Sequence, residues 1–476
     1  MAVSKAPRFS SKLAMILTCM GMAVGTGNIW RFPREVAKNG GGSFLIPWIL
    51  ALVLWSIPLL MVELGIGKKT RKGPHGAFRA VLGKRWAWMG GFISACAMLI
   101  MCYYAVVTGW TFKYLVEALR GTLYGLDADQ THAIYTGMRG SLTALVFHVI
   151  AIAVAGHFVF GGARGIERIN KVLIPGLILI LVFGAIKSLM LAGSGGGIDY
   201  LFHVDTERLS QGSHWLAGFT QSAWSTGAGW GLMLAYAVYA REQDDPVTTP
   251  VATGFGNNFI EIMVGLMIFP AVFAIMGQEG VNFIATSNGT GGIAFEVTPL
   301  LMSKMPGGST MLILFFIGLA SAALTSLIAM VELSTRFFMD YQIERKKALW
   351  ISLLLCLVVG APSALNNSIF DNQDFVWGLG LMLSGLFLTV LVWKVGPTRF
   401  YNEFFERDGK GNHFWFVGLM ALVTVETVLL LGWWLWSESG KGGITWQCVI
   451  QWSVLIGVLI FLERFAKPEK FQAASD

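Results

Sequence analysis

Gly21-Met22-Ala23-Val24-Gly25-Thr26-Gly27-Asn28, inside residues 14–47, decides how the rest of the chain is read. The run from 13 to 22 is apolar, like any membrane-crossing helix. At what should be mid-membrane depth it then sets Gly25 and Gly27 on either side of Thr26. Glycine costs about 1 kcal/mol against alanine in a helix interior, so this spacing invites the helix to come apart. Bare backbone at that depth is tolerated only where it is buried in protein or lines a wet cavity. Close packing of small residues is the competing reading. Asn28 and Arg31, within the next turn, favour a helix unwound around a polar ligand.

Composition sets the class. The 476 residues are 55% hydrophobic and 13% charged, with a mean hydropathy of +0.62, which excludes an ordinary soluble domain. Apolar runs of the ~20 residues a bilayer requires recur along the whole chain, so an all-α polytopic membrane protein is expected. The first run continues into 28–33 without a small-residue cleavage pattern, and no cleavable signal is expected. The five cysteines, Cys19, Cys96, Cys102, Cys356 and Cys448, form no metal-type spacing and read as small core residues. The net charge of +7 lies in short loops and is no nucleic-acid footprint.

About twelve spans of bilayer length are predicted: 12–37, 43–67, 87–120, 141–160 and 167–192, then 213–239, 251–276, 310–338, 348–361 and 371–394, and lastly 413–436 and 444–465. Residues 277–308 are expected to form a long loop whose 293–302 portion dips back against the protein. With the N-terminus placed in the cytoplasm, about 25 of the 35 Lys and Arg fall on the inner side, as the positive-inside rule requires. Both termini, residues 1–11 and 466–476, are therefore expected in the cytoplasm. The basic block 68–85 is expected to hug the lipid headgroups. Asn288-Gly289-Thr290 fits a glycosylation sequon and is read as chance.

The sixth span repeats the oddity of the first, with three alternating glycines in Trp224-Ser225-Thr226-Gly227-Ala228-Gly229-Trp230-Gly231. Paired interruptions in corresponding positions of two halves point to a transporter's binding site. Half-helix N-termini suit a carboxylate, and unwound carbonyls suit a bare cation.

Gly25-Thr26-Gly27-Asn28-Ile29-Trp30-Arg31-Phe32-Pro33, followed by Asn39-Gly40-Gly41-Gly42-Ser43-Phe44-Leu45-Ile46-Pro47, resembles the signature of the neurotransmitter:sodium symporter family. The likeness runs through the first ten spans and is nearest to prokaryotic members of the LeuT type. It implies the LeuT fold, a 5+5 inverted repeat with 12–192 as one half and 213–394 as the other. The first and sixth helices are then unwound, and 413–465 adds two helices.

The resemblance also implies a sodium-coupled importer of an L-amino acid, working by alternating access in the bacterial inner membrane. One sodium ion is expected among the Ala23 carbonyl, the side chains of Asn28, Ser225 and Asn257, and the substrate carboxylate. A second is expected among the carbonyls of Gly21, Val24 and Ala322 and the hydroxyls of Thr325 and Ser326. Hard cations want such oxygen shells; back-bonding of a Thr-Ser pair to its own helix is the competing account. The Thr26 and Gly27 N–H groups, with the Tyr104 hydroxyl, are expected to hold the carboxylate. Carbonyls of Ala23, Trp224 and Ser225 are expected to hold the ammonium. Gly25 stands where amine carriers of the family place Asp, which implies an amino acid. Ile100, Tyr104, Trp224, Gly227, Trp230, Ser326 and Met330 are expected around the side chain. Aromatic walls without a charged partner favour a large hydrophobic or aromatic side chain, with small neutral amino acids as the competitor.

Arg31 and Asp374 match the family's outer gate, closing with Tyr104 and Trp224. Asp340 is expected to pair with Arg8 or Lys5 at the inner gate, although the usual Arg-x-x-Trp reads Ala6-Pro7-Arg8-Phe9 here. Intramembrane carboxylates are costly and usually functional. Glu63 sits where the family bonds a Glu to the sixth-span backbone. Glu261 sits where chloride-dependent members bind chloride, so no chloride requirement is expected. Glu332 reads as a packing or interface residue, and Glu426 has no assigned role. An enzyme is disfavoured by seven scattered histidines and the absence of a phosphate loop. A sensor that binds without transporting keeps the sites but not the cycle.

Overall fold

The computed structural model describes residues 7–286, 291–406, 413–439 and 444–464. Lys5, the sequon at 288–290 and the tail 466–476 lie outside these residues. Among the described residues, nine helices are long and apolar enough to cross a membrane. The bent pair Lys12–Ala23 and Thr26–Lys38, the interrupted pair Gly212–Ser225 and Leu232–Ala237, and the last helix Ile444–Leu462 are consistent with the expected twelve spans.

Burial separates scaffold from periphery. The third span lies within Lys84–Arg120, 89% of whose apolar window is buried, whereas the eleventh, Phe414–Trp436, has 28% buried. The third span packs along the eighth, Gly308–Asp340, and these two helices form the centre. The first span lies against the fifth (Gly162–Leu189), the seventh (Thr248–Thr286) and the eighth. Outward-facing Leu142, Leu179, Trp350, Leu354, Trp436 and Trp446 are exposed. An apolar exterior of this kind is stable only in lipid.

The two interruptions arise differently. The first helix stops at Ala23, resumes at Thr26 and bends by 58°. Gly25 is extended there, with φ −117° and ψ −172°, a conformation open to any residue. Its missing side chain serves close approach: a Cβ would stand 3.0 Å from the Tyr104 hydroxyl oxygen and 3.2 Å from Ser326 Oγ. In the sixth span Gly227, Gly229 and Gly231 have φ of +70°, +85° and +76°. That left-handed backbone costs other residues about 1–2 kcal/mol each.

Three expectations change. The described residues of 277–308 are largely helical rather than a long loop, with 293–302 packed back against the protein as expected. The seventh helix continues past a kink at Gly277 (φ +61°) to Thr286, and Ile293–Ser303 is helical and largely buried. The block 68–85 does not simply coat the headgroups. It contains the helix Pro74–Leu82, with Pro74 to Phe78 buried. Lys68 donates to the Asp244 carbonyl at 2.6 Å, and Arg71 to the carbonyls of Val238 and Ala240. These cations find protein carbonyls in the chain after the sixth span rather than phosphates. Glu332, read as a packing or interface residue, is the centre of a buried ionic cluster. Fully buried, it accepts from Tyr239 (2.7 Å), Arg336 (2.9 Å) and Arg345 (2.9 and 2.6 Å), tying three spans together through charge-assisted bonds.

Candidate functional site

The expected substrate residues all line one cavity of about 450 Å³, opened by the two interruptions. The Tyr104 hydroxyl accepts from the Thr26 N–H at 3.1 Å and from its hydroxyl at 3.3 Å. Trp224 and Trp230 meet edge to face, centroids 6.5 Å apart at 82°, the arrangement ring quadrupoles prefer. Trp224 can lie there because position 378 is glycine: a Cβ would stand 1.9 Å from its ring. At Gly227 a Cβ would meet only the Met22 methyl, at 3.8 Å. The space is free, but the left-handed backbone is not free to a serine.

Asn28 ties the first interruption to the seventh span. Its Oδ1 accepts from the Gly25 N–H at 2.8 Å, and its Nδ2 donates to Asn257 Oδ1 at 2.8 Å and Glu261 Oε1 at 3.2 Å. Asn257 Nδ2 donates to Ser225 Oγ at 3.2 Å. Three of the expected first-ion side chains are thus in direct contact, and the Ala23 position lines the same cavity.

The second expected cluster also converges. Ser326 Oγ lies 3.0 Å from the Val24 carbonyl and 3.4 Å from that of Gly21. The Thr325 hydroxyl lies 3.1 Å from the carbonyls of Ser321 and Ala322. Back-bonding is therefore present at Thr325, while Ser326 reaches across to the first helix. A hydroxyl that donates to one carbonyl keeps its lone pairs, and every donor here is a neutral oxygen suited to a hard cation.

Glu261 is buried and accepts from Trp48 (2.7 Å), Gln221 (2.7 Å) and Asn28. Glu63 is buried and accepts the N–H of Gly229 at 2.8 Å and of Leu234 at 3.2 Å, both in or just after the sixth-span interruption. Arg31 and Asp374 both line the cavity. The Arg31 guanidinium stacks on Trp224, 4.6 Å from its centroid, and Asp374 is hydrogen-bonded to Tyr103.

The inner pairing is corrected. Asp340 accepts the N–H groups of Gly73 (3.0 Å) and Gly76 (2.8 Å), at the start of the helix Pro74–Leu82. Its carboxylate meets free helix N–H groups, not Arg8. Arg8 pairs with Glu242 at 2.9 Å, which Arg71 shares at 2.8 Å. Phe9 is buried beside it against Tyr236 and Tyr239. The Arg8 pair is exposed, and such pairs contribute about 0–1 kcal/mol. Replacing Arg8 with Ala is therefore expected to change stability by less than about 1 kcal/mol, whereas Phe9→Ala removes a buried ring, at about 3 kcal/mol. Thermal unfolding of the two variants in detergent checks the order.

Gln221, Trp48 and Tyr103 were not singled out by sequence. Gln221 was the findable one, an amide one turn before Ser225 in an apolar span. Glu426 Oε2 has no hydrogen-bond partner among the described residues.

The model of the sodium:neurotransmitter symporter family matches residues 6–136 and 129–462. An uncharacterized sodium-dependent transporter of Methanocaldococcus jannaschii is 30% identical over 414 residues, 82% of each chain. The uncharacterized sodium-dependent transporter YhdH of Bacillus subtilis is 27% identical over 455 residues, 90% of this chain and 98% of that one. Among solved structures, MhsT in complex with L-phenylalanine superposes with a TM-score of 0.78 at 28% identity, covering 89% of this chain and 99% of MhsT.

Proposed function

The chain belongs to the sodium:neurotransmitter symporter family, and from that premise we propose that it imports a large hydrophobic or aromatic L-amino acid together with sodium. It is a sodium-dependent symporter, not an enzyme. The observation that carries the finer reading is the cavity itself: free of a carboxylate at Gly25, walled by Trp224, Trp230 and Met330, and large at about 450 Å³. An amine would need a fixed negative charge at position 25, and an amino acid brings its own. The binding of L-phenylalanine by MhsT supports the larger side chain over alanine or glycine.

The two sodium ions are co-substrates. One sits with Ala23, Asn28, Ser225 and Asn257; the other sits with Gly21, Val24, Ala322, Thr325 and Ser326. The first shares the substrate carboxylate, which couples their binding. Arg31 and Asp374 close the outer mouth with Tyr104 and Trp224. Both termini face the cytoplasm from the inner membrane, as the distribution of Lys and Arg supports.

Uptake into proteoliposomes tests this. Labelled phenylalanine should accumulate on a sodium gradient and fail to accumulate when choline replaces sodium, and a panel of the twenty amino acids should compete in order of apolar bulk. Preferred competition by alanine or glycine overturns the substrate class. Binding without accumulation makes the protein a sensor.

Glu261 carries the expectation about chloride. A buried carboxylate held by Trp48, Gln221 and Asn28 supplies a fixed negative charge next to the first ion. Wild-type uptake should be indifferent to replacing chloride by gluconate. Glu261→Ser should lose uptake in gluconate and regain it in chloride; indifference of the variant rejects this role.

A further inference from the structure

The fifth span, Gly162–Leu189, carries a neutral amide that none of these roles uses. Asn170 is fully buried. Its Nδ2 donates to the Ile166 carbonyl at 2.8 Å, while its Oδ1 has no hydrogen-bond partner among the described residues. An unpaired buried amide oxygen costs about 1–3 kcal/mol, so its orientation calls for a reason. That oxygen fills the notch left by Gly21. A Cβ on Gly21 would lie 1.8 Å from Asn170 Oδ1 and 3.2 Å from Thr325 Cβ. Gly21 is within a regular helix and has no conformational need to be glycine; the room it leaves is taken by this amide. The neighbouring Glu167 and Lys171 turn away, both to Ser10. Asn170 brings an oxygen of the fifth span to Gly21, beside the point where Gly21, Val24, Thr325 and Ser326 meet.

We propose that Asn170 Oδ1 is a further oxygen ligand of the second sodium ion, so that the fifth span joins the first and eighth in holding it. The proposal rests on the assignment of that ion to Thr325 and Ser326. An orphaned amide oxygen is a strong acceptor with no proton to lose, and a desolvated cation is the partner that satisfies it. With the ion bound, the unpaired oxygen and the ion's need for ligands are met together. The fifth span is then a wall that must release its oxygen before the ion can leave.

The test uses the purified full-length protein without amino acid. Tryptophan fluorescence is followed as sodium replaces choline at constant ionic strength. Asn170→Leu, close in volume but without the oxygen, should raise the half-saturating sodium concentration by about tenfold or more. Asn170→Asp, which keeps an oxygen, should stay within about threefold of the native protein. Thr325→Val should weaken sodium at least as much as Asn170→Leu. If Thr325→Val weakens sodium and Asn170→Leu does not, the proposal for Asn170 fails and the site stands. If Leu and Asp weaken it equally, Asn170 only packs and the proposal fails. If neither Thr325→Val nor Asn170→Leu has an effect, the second site itself is misassigned.

Discussion

Asn28→Ala is expected to raise the sodium concentration needed for half-maximal amino-acid binding by roughly a hundredfold and to abolish uptake at ordinary sodium. Two losses combine. The side chain is proposed to give the first sodium an oxygen. It also caps the Gly25 N–H at 2.8 Å and joins the first span to Asn257 and Glu261. An uncapped buried N–H costs about 1–3 kcal/mol, and a lost ligand oxygen is of similar size; each 1.4 kcal/mol is a factor of ten. Asn28→Asp does not rescue the site, because its carboxylate faces that of Glu261. Equilibrium binding of labelled amino acid across a sodium series reads the result. An unchanged sodium dependence in Asn28→Ala removes the first ion from this position.

Glu63→Gln should be the most damaging neutral substitution in the second span. The carboxylate accepts the Gly229 and Leu234 N–H groups in backbone that three left-handed glycines keep out of the helix. A glutamine offers one acceptor and one donor, so its amide N–H faces a peptide N–H in a dry interior. Breaking a buried charge-assisted set in this way costs about 3 kcal/mol or more. Thermal unfolding in detergent should begin several degrees lower, and uptake should be lost even where the protein is still folded. A variant that melts and transports like the native protein shows that the sixth-span interruption holds itself.

The interruptions, Glu63 and the substrate cavity were legible because each leaves a local mark: alternating glycines, or an ionisable group in an apolar run. The inner pairing was not. Whether Arg8 meets Asp340 depends on where the chain after the sixth span lies, and Lys68 and Arg71 pin that chain so that Glu242 meets Arg8. The helix at 293–303 was half legible, its apolar content read correctly and its regularity missed. Asn170 carries no charge, and an uncharged amide in an apolar span does not by itself signal a buried site. Unlike Gln221, Asn170 has no glycine-rich break beside it in the sequence, and its empty acceptor shows only in the folded chain.

The different origins of the two interruptions bear on how such a transporter is retuned. At 229 and 231 the backbone's handedness penalises a side chain by about 1–2 kcal/mol even where the neighbours give way. Position 25 is closed only by the Tyr104 and Ser326 hydroxyls, and trimming those two reopens it. A combinatorial library should therefore recover folded variants at 25 together with 104 and 326 more readily than at 229 or 231. Adaptation to a new cargo is left one adjustable door, on the first helix.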